Sequence, residues 1–161
     1  MDFHVQRCTR RCSKTGQEFQ PDEMFYSLLV AEGSEVVRHD FSAEAWEGPP
    51  EGILGWWKSR MPSRNANKVN WAPNDIMLEL FLELAEQSQK KDLHYVLTLL
   101  LIRRRIMRLE DTEIDEENTE QLIVYCPRHE KSYRVPVAAP HERRTEEIQN
   151  ELAQLLFADV A

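Results

Sequence analysis

The segment "KDLHYVLTLLLIRRRIMRLE", residues 91–110, constrains the fold more than any other stretch of the chain. From Tyr95 to Ile102 it is apolar nearly all round, with Thr98 as the exception. A helix with no polar face is stable only when other elements surround it, so the pattern predicts a helix at the centre of a bundle. Its greasiest run, "LHYVLTLLLI", falls well short of the ~20 residues that span a bilayer, which points to a soluble protein. The short "SQKK" connection makes it an antiparallel neighbour of the helix before it. That helix, "PNDIMLELFLELAEQ", sets Ile76, Met77, Leu80, Phe81 and Leu84 on one stripe, with Glu79, Glu83 and Glu86 off it. Asn74 or Asp75 is its candidate cap. A last helix from about Glu142 places Ile148, Leu152, Leu155 and Leu156 on one face, where they should close the core.

Ahead of Pro73 the pattern is that of strands. "MFYSLLV" and "EVVRHDF" are rich in aromatic and branched residues, and "AEGS" supplies a glycine between them, a hairpin signal. "SAEAWEG" offers Ser42 as the cap of one helical turn, stopped at Gly48-Pro49-Pro50. In the connection that follows, prolines 49, 50, 62 and 73 argue against a long regular element. Trp56, Trp57 and Trp71 also fall there. They are expected to pack down as core cover or to present an aromatic patch to a partner. "QLIVYCP" and "SYRVPV" form a second hairpin across "RHEK". The expected fold class is α+β: a small N-terminal hairpin module at 8–46, a Trp/Pro-rich connection at 47–73, and a helix–helix–hairpin–helix domain at 74–161.

With 161 residues, the chain suits one domain or two small modules sharing a core. A net charge of −8 argues against nucleic acid and anionic membrane as partners, unless basic groups cluster locally. Two basic runs exist: Arg7, Arg10, Arg11 and Lys14, and then Arg103, Arg104, Arg105 and Arg108. On a helix the second run shares neighbouring faces. It is expected to pair with the acidic stretch "EDTEIDEENTE" or to offer a phosphate-binding surface. The acidic stretch is not an EF-hand, because Glu116 stands where glycine is required and Leu122 where a bidentate glutamate is required. It is expected to be a solvated loop. Three cysteines and an opening without an apolar signal segment favour a reducing, cytoplasmic setting. Phosphate-cradling, nucleophile-elbow and metalloprotease motifs are missing, and the expectation is a protein without catalytic activity.

One constellation remains. Cys8, Cys12, Cys126 and His129 make C-x3-C…C-x2-H, a ligand set that could close a tetrahedral structural zinc. A second reading uses the beginning of the chain alone. "CSKTGxxFxPxExFY", a hairpin, and then "RHDFSAEAW" resemble a treble-clef zinc module. The resemblance puts Cys12 and Thr15 in the first knuckle, and Ser42 and Ala45 in the second. One thiolate and two hydroxyls hold zinc too weakly, so it implies a module that keeps its shape without its metal. Further on, "WEGPPE", "GWWKSRMP", "YVLTLLLIRRR" and "YCPRHEKSYRV" resemble a family of uncharacterised bacterial proteins, and this likeness implies a shape but no activity. These readings lead to a non-catalytic interaction or regulatory protein without a cofactor. Its interaction candidates are Trp56, Trp57, Trp71, Arg103, Arg104, Arg105 and Arg108. The alternatives are a zinc-stapled nucleic-acid-associated protein and, third, an enzyme.

Overall fold

Strand β1 (Met24–Glu32) and strand β2 (Glu35–Ser42) form where the runs of aromatic and branched residues place them. Gly33 takes φ +64 in the two-residue turn between them, a conformation that glycine enters without a Cβ clash. The structure, a computed structural model, describes residues 10–61 and 72–156. The protein is of the mixed α+β class. Its described residues contain two three-stranded antiparallel sheets and three α-helices.

The first sheet has the order β2-β1-β3, and strand β3 (Gly55–Arg60) lies within the stretch expected to be a connection. "GWWKSR" is short enough to sit between the proline clusters, and it pairs with the free edge of β1, Trp57 opposite Ser27 and Trp56 opposite Leu28. The period of two then separates the neighbouring tryptophans. Trp57 is buried, and Trp56 is 44% exposed. Helix α1 (Asn74–Ala85) and helix α3 (Glu142–Leu156) form on their predicted stripes. Ile76, Met77, Leu80, Phe81 and Leu84 of α1 are buried, as are Ile148, Leu152, Leu155 and Leu156 of α3. The residues up to Leu80 and those from Gln149 make one unit, and residues 81–148 make the other. In the first unit β3 approaches α1 so closely at Gly55 that a Cβ there would strike the Ile76 side chain. Phe25, Leu29, Met77 and Leu80 are almost wholly buried, each stabilising by about 1.5–3 kcal/mol against exposure.

The second unit is built on strands β4 (Arg108–Ile114), β5 (Glu120–Cys126) and β6 (Lys131–Pro136), in that order. The hairpin expected over 121–137 is β5–β6, and Leu122, Val124, Cys126 and Val135 turn inward. Helix α2 (Lys91–Arg103) packs against β6 rather than at the centre of a helical bundle. It buries Leu93, Val96, Leu97, Leu100 and Leu101 together with His94 and Thr98. The Thr98 hydroxyl donates to the His94 carbonyl at 2.7 Å, and the His94 ring lies 4.5 Å from that of Phe81. His94 Nε2 has no hydrogen-bond partner among the described residues, so this histidine is buried but not satisfied.

The helix expected to run to Glu110 stops at Arg103. The Ile106 N–H reaches back to the Leu101 carbonyl at 2.9 Å and the Arg105 N–H to Ile102 at 3.0 Å. Arg105 between them sits at φ +62. This is a Schellman stop, a position usually held by glycine. The acidic stretch is correspondingly not one loop. Its first residues complete β4, and the turn is confined to Asp115–Thr119. There the Asp115 carboxylate accepts the N–H groups of Thr119 and Glu117 and the Gln121 amide, which hold its pKa below the usual carboxylate range. No described helix is long and apolar enough to cross a membrane.

Candidate functional site

The segment "RCSKTGQEF" folds back on itself before β1. Gly16, at φ +76, donates its N–H to the Cys12 carbonyl at 2.8 Å, and Arg11 bridges to Glu18. The Ser13 N–H donates to Asp40 of β2 at 2.7 Å, which fixes this knuckle against the end of the hairpin. There the Ser42 N–H points at Cys12 Sγ (3.4 Å), and the Ser42 hydroxyl lies 3.8 Å from the same sulfur. Ser42 also caps the following turn by accepting the Ala45 N–H at 3.2 Å. Cys12 is buried with Phe19, Phe25 and Met61, and Ala45 packs on this cluster. Burial pushes the thiol up, but the Thr15 hydroxyl and the backbone groups of Ser42, Thr15 and Lys14 hold it down, at about 7 instead of 9.0. Of the four positions in the sequence resemblance, Thr15 and Ser42 thus contact the Cys12 sulfur, and Ala45 packs on its cluster. The donors among them are a thiol and two hydroxyls, with a methyl group in the fourth place. That set does not fit zinc, which takes thiolate, imidazole and carboxylate ligands.

Cys8, of the longer ligand set, lies outside the described residues. Cys126 is buried at the end of β5, and His129 Nδ1 is 2.9 Å from the Tyr133 hydroxyl. Among the described residues, no three histidine, cysteine or acidic side chains are gathered as a metal site.

The second surface is aromatic. The pleat of the first sheet places Tyr26, Phe41 and Trp56 on one face, with Phe41 and Lys58 as the cross-strand partners of Tyr26. Trp46, from the turn after β2, lies parallel to Tyr26 at 4.9 Å and within 5.6–5.7 Å of Phe41 and Trp56. Lys58 extends over the Tyr26 ring. Of the expected interaction residues, only Trp56 belongs to this cluster. Trp57 points to the opposite, buried face, and Trp71 lies outside the described residues. Tyr26, Phe41 and Trp46 were not singled out from the sequence. The signal was present, because strand alternation puts Tyr26, Phe41 and Trp56 on a common face once β3 is recognised.

On the inner face of the sheet is a buried polar network. Asp40 accepts hydrogen bonds from Arg38 Nε (2.9 Å) and the Ser27 hydroxyl (2.5 Å), with Arg10 at 3.7 Å. Arg10 and Arg38 continue to the last carbonyls of α3, Ala153, Gln154 and Leu155. Two cations at a helix C-terminus meet its partial negative charge and its unpaired carbonyls. Trp57 lies under the Arg38 guanidinium at 5.0 Å.

The second arginine run does not share helix faces as expected. Arg103 ends α2, Arg104 is its C-cap, Arg105 takes the left-handed position, and Arg108 opens β4 with its guanidinium 5.1 Å over Tyr125. Glu113 of the acidic stretch pairs with Arg134 of β6. The fold and these surfaces define a mixed α+β protein with a cysteine-centred turn before β1 and an aromatic sheet face. Comparison with protein-family models, with curated proteins and with solved structures gave no match.

Proposed function

We propose that the chain is a non-catalytic interaction protein that docks a protein partner on the aromatic face of its first sheet. The observation that carries this reading is the cluster of Tyr26, Phe41, Trp46 and Trp56, with Trp56 44% exposed. Stacked aromatics that are already ordered lose little entropy when they are covered, and tryptophan and tyrosine dominate interface hot spots. The net charge of −8 and the exposed Glu44 and Glu51 around "AEAWEGPPEG" favour a basic partner surface over nucleic acid. In this reading the knuckle is a structural brace that has dispensed with zinc, Cys12 being held by hydrogen bonds instead. The free Cys12 and Cys126 suit a reducing, cytoplasmic setting.

Affinity capture from native lysate with the full chain and with Trp56→Ala tests the proposal. A partner retained by the wild type and lost by Trp56→Ala, with an unchanged circular dichroism spectrum, is the expected result. The same set of proteins on both baits would refute it. Metal analysis of the purified chain separates the zinc-stapled alternative: one zinc per chain, released by Cys126→Ser, would replace the metal-free reading.

A further inference from the structure

Where α2 gives way to β4, the second unit has a groove of about 530 Å3, lined by Ile102, Arg105, Met107, Arg108, Leu109 and Pro127. Its size falls in the range of small-molecule sites, roughly 300–1,000 Å3. The walls are apolar, and the two charged groups on its lining are both guanidinium groups. Neither has a carboxylate partner among the described residues. The acidic side chains of β4 are engaged elsewhere, Glu110 with Ser132, Asp111 with the Thr112 N–H and Glu113 with Arg134. Leu109 leaves 46% of its surface exposed beside the groove.

The backbone supplies a separate argument. Arg105 occupies the left-handed position of the Schellman stop at φ +62, where glycine would make the same two hydrogen bonds without strain. The fold alone would select glycine there, so the strained arginine calls for a role that its side chain fulfils. Arg108 is held in place by the Tyr125 ring beneath it, which pre-orients the second guanidinium.

We propose that this groove binds a small amphipathic anion. A carboxylate or phosphate would sit between Arg105 and Arg108, with its apolar body against Ile102, Met107, Leu109 and Pro127. The site is independent of the aromatic face in the first unit, and either can fail without the other.

The test is calorimetric titration of the full chain with octanoate, octyl phosphate, 1-octanol and acetate, with NMR shifts to locate the binding. Octanoate, octyl phosphate or both should saturate, shifting Met107 and Leu109, and their order identifies the head group. Octanol should bind at least tenfold more weakly, because it lacks the charge that makes the hydrogen bonds strong, and acetate should not saturate. Arg105→Gly should weaken the anion about tenfold or more while raising Tm by about 2–4 °C as the strain is released. Arg108→Gln should weaken it similarly without the gain in Tm. Equal affinity for octanol and octanoate, or unchanged binding by Arg105→Gly, would overturn the proposal. So would the absence of binding by both anions, including the case in which an acidic, leucine-bearing peptide occupies the groove instead.

Discussion

Replacing Asp40 by asparagine would take the carboxylate out from between two guanidinium groups that the fold has already desolvated. The side chains of Arg10, Arg38 and Asp40 are 7%, 3% and 8% exposed, so water cannot substitute for the lost charge. At an effective dielectric of about 20, one pair of charges about 4 Å apart is worth about 4 kcal/mol, and removing one partner of a buried pair costs about 3–5 kcal/mol. Two features reduce the loss. Both arginines keep their bonds to the carbonyls of Ala153, Gln154 and Leu155, and the asparagine oxygen can still accept from Arg38 or Ser27. The expected destabilisation is therefore about 3 kcal/mol, at the lower end of that range. Urea unfolding followed by tryptophan fluorescence suits the measurement, because Trp46, Trp56 and Trp57 all belong to the first unit and Trp57 touches Arg38. Glu47→Gln, which breaks only the exposed pair with Lys14, is the control and should leave the midpoint unchanged. A loss below about 1 kcal/mol for Asp40→Asn would mean that the network is solvated, and the reasoning would fall.

Two further outcomes concern pH. Because the Cys12 thiol titrates at about 7 in the fold against 9.0 ordinarily, the folded chain holds fewer protons between those values. Stability should therefore rise from pH 7 to 9, a gain absent from Cys12→Ser. Thr15→Val should move the thiolate absorbance step back toward 9.0, and an unmoved step would remove Thr15 from the explanation. His94, pushed down from 6.5 to about 4 by burial, stays neutral while the unfolded chain protonates. Stability should fall as pH drops through that window, by up to about 1.4 kcal/mol per pH unit. His94→Phe should flatten this slope and, with no orphaned nitrogen left, stabilise by about 1 kcal/mol. A slope that survives His94→Phe would assign the effect to another group.

The sequence was most legible where burial follows a period. The β1–β2 hairpin carries its own turn glycine, and α1 and α3 each present one apolar stripe. Strand β4 escaped because every one of its residues is exposed, so no alternation marks it, and its acidic side chains imitate a loop. The end of α2 escaped because Arg105 stands at the stop position, while Ile106, Met107 and Leu109 continue a helical apolar spacing. Strand β3 was hidden among prolines, and with it the aromatic face. The nearness of Thr15 and Ser42 to Cys12 was legible only through the resemblance to a treble-clef module, which set those residues in paired knuckle positions. The Arg10–Asp40–Arg38 network could not, since charged residues in a strand ordinarily signal its solvent face.

The grip of Arg10 and Arg38 on the last turn of α3 also bears on how the protein is made. The partners of Arg10 lie 143 and 144 positions downstream, so the ribosome must finish α3 before the first unit can complete its network. Residues 81–148, by contrast, emerge as one uninterrupted stretch that carries its own sheet and helix α2. During synthesis the interior of the chain can therefore reach its native form first. Arg10, synthesised well before its partners in α3, is thus among the last of the described residues to be locked.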